Sequence, residues 1–216
     1  MVEALGGFSG LAVIANEEFD GKGGWKQRFP LAGPLHLELG TGKGQFLREM
    51  AQKHPEWNFV GLEKEPGVLL QAVRTAHALG LTNLQFVLGD VQWLDRIFAP
   101  SEVDALYIHF CDPWPKSRHE KRRLTHESFL RLYRQILAPS GSLRFKTDNL
   151  DLFEYSLASF AADGMELICV GRDIHAAGAG DSVIMTEYEA KFSAAGLPVY
   201  YCEARFDKSG EESASV

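Results

Sequence analysis

The apolar positions of this chain come in short blocks, and between the blocks they recur at helical spacing. Residues 35–39, 58–63, 84–88, 104–110, 141–147, 165–172 and 199–206 are runs of strand length. Residues 45–53 carry helical spacing through Phe46, Leu47, Met50 and Ala51. Residues 66–79 read as a helix with Pro66 in the first turn, where its missing N–H costs nothing. Residues 125–137 read as a helix capped by Thr125, with Ser128 in its first turn, and residues 149–162 as another. Strands separated by helices predict an α/β fold. Its sheet is mostly parallel, doubly wound and seven-stranded, with helices on both faces. Residues 1–33 hold seven glycines and read as an arm or loosely ordered cover, residues 34–207 as the domain. Residues 173–180 have no periodicity and read as a mobile loop, and the polar tail 208–216 reads as disordered.

Composition narrows the class. A chain of 216 residues, 45% hydrophobic and 24% charged, has the make-up of an ordinary soluble globule. Its net charge of -7 counts against a body coated in nucleic acid but permits a local basic patch. Cys111, Cys169 and Cys202 stand far apart without a CxxC, which reads as reduced thiols in a cytoplasmic protein with no zinc site. Seven histidines without ligand spacing predict no metal. The start has no basic n-region, and no apolar run approaches the ~20 residues of a membrane span, so no membrane partner is expected.

The chemistry-bearing residues cluster where strands end. Glu38-Leu39-Gly40-Thr41-Gly42-Lys43-Gly44 joins the first predicted strand to the first helix. A dinucleotide fingerprint needs glycine where Gln45 stands, and a P-loop needs Ser or Thr after its lysine, where Gly44 stands. An acid beside the loop repels pyrophosphate but attracts the ammonium of a methionine moiety, which favours S-adenosylmethionine. A tight turn with no ligand stays open as the bland reading. Glu63 ends the second strand roughly 20 residues past the glycines, where a carboxylate can bind ribose hydroxyls. Asp90 ends the third and can accept from an adenine amino group. Asp112 ends the fourth. Ligands of open α/β sheets bind at that edge.

Asp112-Pro113-Trp114-Pro115 is followed at once by residues 116–123, of which Lys116, Arg118, Lys121, Arg122 and Arg123 are basic. A carboxylate, an aromatic plate and a local anion trap side by side suggest chemistry on a nucleic acid. The arginines suit phosphate geometry. Asp148 follows the fifth strand, and Thr186-Glu187-Tyr188-Glu189 comes later. A carboxylate facing guanine can accept from N1–H and the N2 amine together, so Asp148 and Glu189 are candidate guanine readers. Glu189 alone reads equally as a helix-surface residue.

These motifs, with Gly61-Leu62-Glu63, Gly89-Asp90, Lys121-Arg122-Arg123-Leu124 and Lys146-Thr147-Asp148, resemble the bacterial tRNA (guanine-N7-)-methyltransferases of the TrmB type over about residues 34–206. The resemblance implies a Rossmann-like class I methyltransferase fold. It implies methyl transfer from S-adenosylmethionine to N7 of a guanine in the tRNA variable loop, with S-adenosylhomocysteine as co-product. It implies that Glu38, Glu63, Asp90 and Asp112 hold or line the cofactor; the turn of Gly40, Gly42 and Gly44 is read as part of the same site, and Asp112, able to stabilise charge developing on the guanine, as the catalytic residue. It assigns Lys116, Asp148, Thr186, Glu187, Tyr188 and Glu189 to the target nucleoside, and Arg118, Lys121, Arg122 and Arg123 to the RNA. The expected partner is tRNA rather than DNA, and monomer and homodimer both stay open. Three alternatives also stay open: a class I methyltransferase for another RNA base or a small molecule, a tRNA-binding relative without catalysis, and a cysteine-dependent pyrimidine methyltransferase using Cys111.

Overall fold

A computed structural model of the chain describes residues 2–16, 18–174, 189 and 194–207. In chain order these form α1 (Val2–Gly6), β1 (Ala12–Ile14), β2 (Leu35–Leu39), α2 (Gln45–Lys53), β3 (Asn58–Glu63), α3 (Pro66–Ala78) and β4 (Leu84–Leu88). There follow α4 (Leu94–Ile97), β5 (Val103–His109), α5 (Glu127–Ile136), β6 (Leu137–Thr147), α6 (Leu150–Ala162), β7 (Met165–Gly171) and β8 (Tyr200–Phe206). Among the described residues the strands make one sheet in the order β1-β4-β3-β2-β5-β6-β8-β7. All pairings are parallel as far as β6, and β8 is antiparallel to both β6 and β7.

The central strands β2, β3 and β5 are buried along almost their whole length because helices cover both of their faces. On one face Phe46, Leu47 and Met50 of α2 and Leu69, Val73 and Ala76 of α3 pack against Phe59, Phe86 and Ala105. On the other, Leu130, Tyr133 and Ile136 of α5 and Leu152, Phe153 and Phe160 of α6 pack against Leu37, Leu106, Leu143 and Phe145.

Three local expectations are corrected. The first residues are not a loose cover, and the sheet has eight strands rather than seven, because β1 adds a parallel edge strand on β4. Trp25 is fully buried, its ring N–H donates to the Ile97 carbonyl at 2.6 Å, and its backbone N–H donates to Glu102 at 3.1 Å. The cap of α5 is His126, not Thr125: the His126 ring accepts from the Ser128 N–H at 3.2 Å. Thr125 is instead buried, 2.8 Å from the Ser156 hydroxyl. Lastly, β5 ends at His109, so Cys111 and Asp112 lie beyond it, in the loop. Residues 175–180 of the expected loop and the tail 208–216 lie outside the described residues.

His36 makes stability depend on pH. It is buried in β2, stacked on Trp57 at 4.5 Å, with Nδ1 2.8 Å from the Tyr107 hydroxyl. Burial, helped by the Arg144 and His54 charges, takes its pKa from 6.5 down to about 3. The folded chain therefore holds His36 neutral while the unfolded chain protonates it. This stabilisation is complete above 6.5 and is lost as pH falls through the window from 6.5 to about 3, at about 1.4 kcal/mol per pH unit. The urea midpoint should fall in the upper part of that window and fall less in His36→Asn; parallel curves for the two proteins would refute it.

Candidate active site

The chain runs from β2 outward to β3 and β4, then crosses back to β5 on the other side of β2. That reversal opens a crevice at the carboxyl ends of β2 and β5, the usual ligand position in a doubly wound sheet. Because these strands are parallel, Glu38, Glu63, Asp90, Asp112 and Asp148 all fall at this one edge.

The glycine loop is a tight turn held by its own backbone. Gly40, Gly42 and Gly44 have φ of 70°, 57° and 68°, a region that L side chains rarely adopt. At Gly44 a Cβ would also meet Phe86 at 3.0 Å and Ala72 at 3.1 Å. The N–H groups of Gly40 and Thr41 donate to the Leu62 carbonyl at 2.8 and 3.1 Å, and that of Gly44 donates to the Thr41 carbonyl at 2.8 Å. The Gly42 N–H donates to Glu63 Oε2 at 3.0 Å. A phosphate cradle needs such N–H groups pointed at the ligand. Here four are spent internally, which counts against both pyrophosphate readings of this loop.

The acids differ in what they have left to offer. Glu63 Oε1 accepts from the N–H groups of Lys64 and Glu65 at 2.9 and 3.0 Å. With the Gly42 bond, about three of the four acceptor positions of a carboxylate are taken, leaving about one for a hydroxyl. Asp90 caps a short 3₁₀ turn, Oδ1 accepting from the Gln92 N–H at 2.9 Å. Glu38 is 4% exposed. Its Oε2 accepts from the Thr41 hydroxyl at 2.6 Å, and its Oε1 lies 3.2 Å from His109 Nδ1. Burial, opposed by Glu38, holds His109 below its ordinary value, so it stands beside Glu38 as a neutral ring.

Lys146, near the end of β6, and Glu189 form a buried ion pair, Nζ lying 3.4 and 3.3 Å from the two carboxylate oxygens. Glu189 is therefore no helix-surface residue. In the sequence Lys146 stands only within the Lys146-Thr147-Asp148 motif, with no role of its own. Thr186, Glu187 and Tyr188 lie outside the described residues. Asp148 is half-buried just beyond β6.

The loop after β5 is strained at two points. Phe110 and Trp114 have φ of 50° and 41°, costing of order 1–3 kcal/mol each, and they bracket Asp112, whose carboxylate is exposed. Pro115 adds to the conflict, since a residue before proline prefers an extended backbone. The basic run folds back on this loop as the 3₁₀ turn Ser117–Arg122. Arg123 Nε and Nη2 donate to the Trp114 carbonyl at 3.3 and 3.2 Å, and its guanidinium lies 4.2 Å over the Tyr155 ring. The Arg122 guanidinium lies 4.8 Å over the Trp114 ring, and His119 meets that ring edge-on at 5.6 Å. Lys116, Arg118, Lys121 and Arg122 are exposed, whereas Arg123 is half-buried. The run thus divides into an outward cationic face and one inward arginine that grips the loop.

The surroundings of Cys111 count against a thiolate nucleophile. Burial, reinforced by the Asp112 charge, pushes its thiol up to about 12, so it carries almost no thiolate at neutral pH. The cysteine-dependent alternative is set aside on that ground, not because Cys111 lies in a strand.

Known proteins resemble this chain in sequence and in fold. Residues 32–202 match the methyltransferase family Methyltransf_4. The crystal structure of the 16S rRNA methyltransferase KamB superposes with a TM-score of 0.61 over 84% of this chain and 90% of that one, at 15% identity, a likeness of fold alone. A tRNA (guanine-N(7)-)-methyltransferase of Halalkalibacterium halodurans is 50% identical over 192 residues, 89% of this chain and 86% of the relative. The protein of that name from Lactiplantibacillus plantarum is 49% identical over 194 residues, 90% of each chain. At that identity over nearly the whole of both chains, this chain belongs to the tRNA (guanine-N(7)-)-methyltransferase family.

Proposed function

We propose that the chain transfers a methyl group from S-adenosylmethionine to N7 of a guanine in tRNA, in the variable loop by family resemblance. The observation that carries this reading is the convergence of Glu38, Glu63, Asp90 and Asp112 on one strand edge, with an exposed cationic turn directly beside it. When bound, S-adenosylmethionine supplies an electrophilic methyl group. The donor set suits it: carboxylates stand where a methionine ammonium, ribose hydroxyls and an adenine amine need acceptors. Glu38 and the turn of Gly40, Gly42 and Gly44 would hold the methionine end, Glu63 would offer its remaining acceptor position to the ribose, and Asp90 would accept from the adenine amine.

Guanine N7 carries a lone pair and no proton, so no general base is required. What the chain must do is orient the base and stabilise positive charge on the ring as the bond forms. Orientation can supply ~7–11 kcal/mol. Asp148 and Glu189 accept from guanine N1–H and N2–H, Lys116 approaches the nucleoside, and Asp112 faces the developing charge. Arg118, Lys121 and Arg122 meet phosphates. The target base leaves its tertiary contacts to enter, as base-modifying enzymes require. The protein acts on tRNA in the cytoplasm, and among the described residues no helix is long and apolar enough to cross a membrane.

The test is transfer from methyl-labelled S-adenosylmethionine to unmodified bulk tRNA, followed by nucleoside analysis. Label is expected in 7-methylguanosine. Label in another nucleoside would keep the RNA substrate and discard Asp148 and Glu189 as guanine readers. Transfer insensitive to RNase would remove the RNA altogether.

A further inference from the structure

Glu38 is a buried carboxylate gripped by two neutral donors, one on each oxygen. Oε2 accepts from the Thr41 hydroxyl at 2.6 Å and Oε1 from His109 Nδ1 at 3.2 Å. Burying a carboxylate is costly unless hydrogen bonds and an opposite charge offset it. The hydrogen bonds are in place. Among the described residues no cation touches Glu38: Lys146, whose charge reaches it, is ion-paired with Glu189. The second donor comes from the neighbouring strand. β5 runs one residue past the end of β2, with Tyr107 opposite Glu38 and Ile108 opposite Leu39. Alternation along β5 puts His109 on the face of Tyr107, hence on the face of Glu38. The His109 side chain is 5% exposed, with the Phe46 ring edge-on at 4.5 Å and the Tyr107 ring at 5.6 Å.

We propose that His109 is the positioning residue for Glu38: from the next strand it aims the carboxylate at the ammonium of the cofactor's methionine end. This rests on Glu38 holding that ammonium. Thr41 alone fixes one oxygen and leaves the carboxylate free to rotate about its last bond; a donor on the other oxygen removes that freedom. Only a donor can face a carboxylate oxygen, so Nδ1 carries the ring proton. Burial keeps the ring neutral, so His109 supplies a hydrogen bond and no charge. A cation in its place would compete with the ligand for the same carboxylate.

The experiment measures, by calorimetry on the full chain, the affinity for S-adenosylhomocysteine and for 5′-methylthioadenosine. Both carry adenine and ribose, but only the first carries the ammonium. Glu38→Gln should weaken S-adenosylhomocysteine and leave 5′-methylthioadenosine unchanged. His109→Leu keeps bulk beside Phe46 and removes the donor. It should show the same selective loss, by about 10–100-fold, the range for a hydrogen bond to a charged group. His109→Asn can donate from nearly the position of Nδ1 and should restore most of the affinity. The double variant His109→Leu/Glu38→Gln should be no worse than Glu38→Gln, since nothing is left to aim. In methyl transfer the loss should appear as a raised KM for S-adenosylmethionine with kcat little changed. Where the leucine variant does not fold, His109→Ala carries the same comparison against His109→Asn. If Glu38→Gln is selective but the folded His109 variant binds both ligands as the wild type does, weakens both equally, or adds its loss in the double variant, the role of His109 is overturned alone. A Glu38→Gln protein that keeps its S-adenosylhomocysteine affinity, or weakens both ligands alike, would overturn the reading of Glu38 and the proposal with it.

Discussion

Replacing Asp112 by alanine is expected to lower the rate of methyl transfer by about 10²–10³-fold while leaving tRNA affinity unchanged, the range found when one preorganised electrostatic partner of a transition state is removed. The expectation follows from where the carboxylate stands. It lies exposed at the strand edge, two residues before the strained Trp114 and beside the cationic turn proposed to meet the RNA. Guanine gains positive charge only as N7 is methylated, so a nearby carboxylate favours the transition state over the bound ground state. Asp112→Asn separates charge from orientation: the amide keeps the shape and loses the charge. If charge is what matters, Asn will be about as slow as Ala. Gel shifts and single-turnover transfer on the same samples decide the matter. Equal loss of binding and transfer would place Asp112 among the binding groups only.

Arg123→Ala is expected to slow transfer by about 100-fold with little change in the salt dependence of tRNA binding, whereas Arg122→Ala should flatten that dependence by about 0.7–0.9 and cost much less in rate. The two neighbours look alike in the sequence and are used differently in the fold. Arg122 presents an exposed guanidinium over the Trp114 face, free to meet a phosphate on its other side. Arg123 spends two donors on the Trp114 carbonyl and packs over Tyr155, whose hydroxyl burial pushes up to about 12 beside Glu120. Without that grip the loop can relax from its left-handed backbone at Trp114, and a displacement of about 1 Å at the carboxylate suffices for a 100-fold loss. Arg123→Lys should fail to rescue, because a lysine has no planar fork with which to donate twice and stack at once. A changed salt slope with an unchanged rate would return Arg123 to the RNA-contacting set.

Much of the sheet was legible because buried parallel strands read as short, mostly apolar blocks separated by stretches of helical spacing. Strands 35–39, 58–63 and 84–88 fall where the pattern placed them, and the acids at their ends follow from the same registers. What stayed hidden depends on partners distant in sequence. A three-residue strand has no period to detect, so β1 was unreadable, and Trp25 is tied down by Ile97 and Glu102, more than 70 residues away. Lys146 carries no local sign of burial; only the arrival of Glu189, 43 residues later, explains it. Arg123 could not be told from its basic neighbours, because its acceptor points inward only when Trp114 takes a backbone conformation that tryptophan disfavours.

That disfavoured backbone bears on how the site can be transplanted. Asp-Pro-Trp-Pro carries no instruction for its own shape; left alone, the tetrapeptide would settle into an extended form. A graft of these four residues onto another α/β sheet would deliver the right side chains on the wrong curve. The portable unit is the stretch from Phe110 to Arg123, in which the last residue reaches back to hold the middle, together with an aromatic platform equivalent to Tyr155 on the receiving helix.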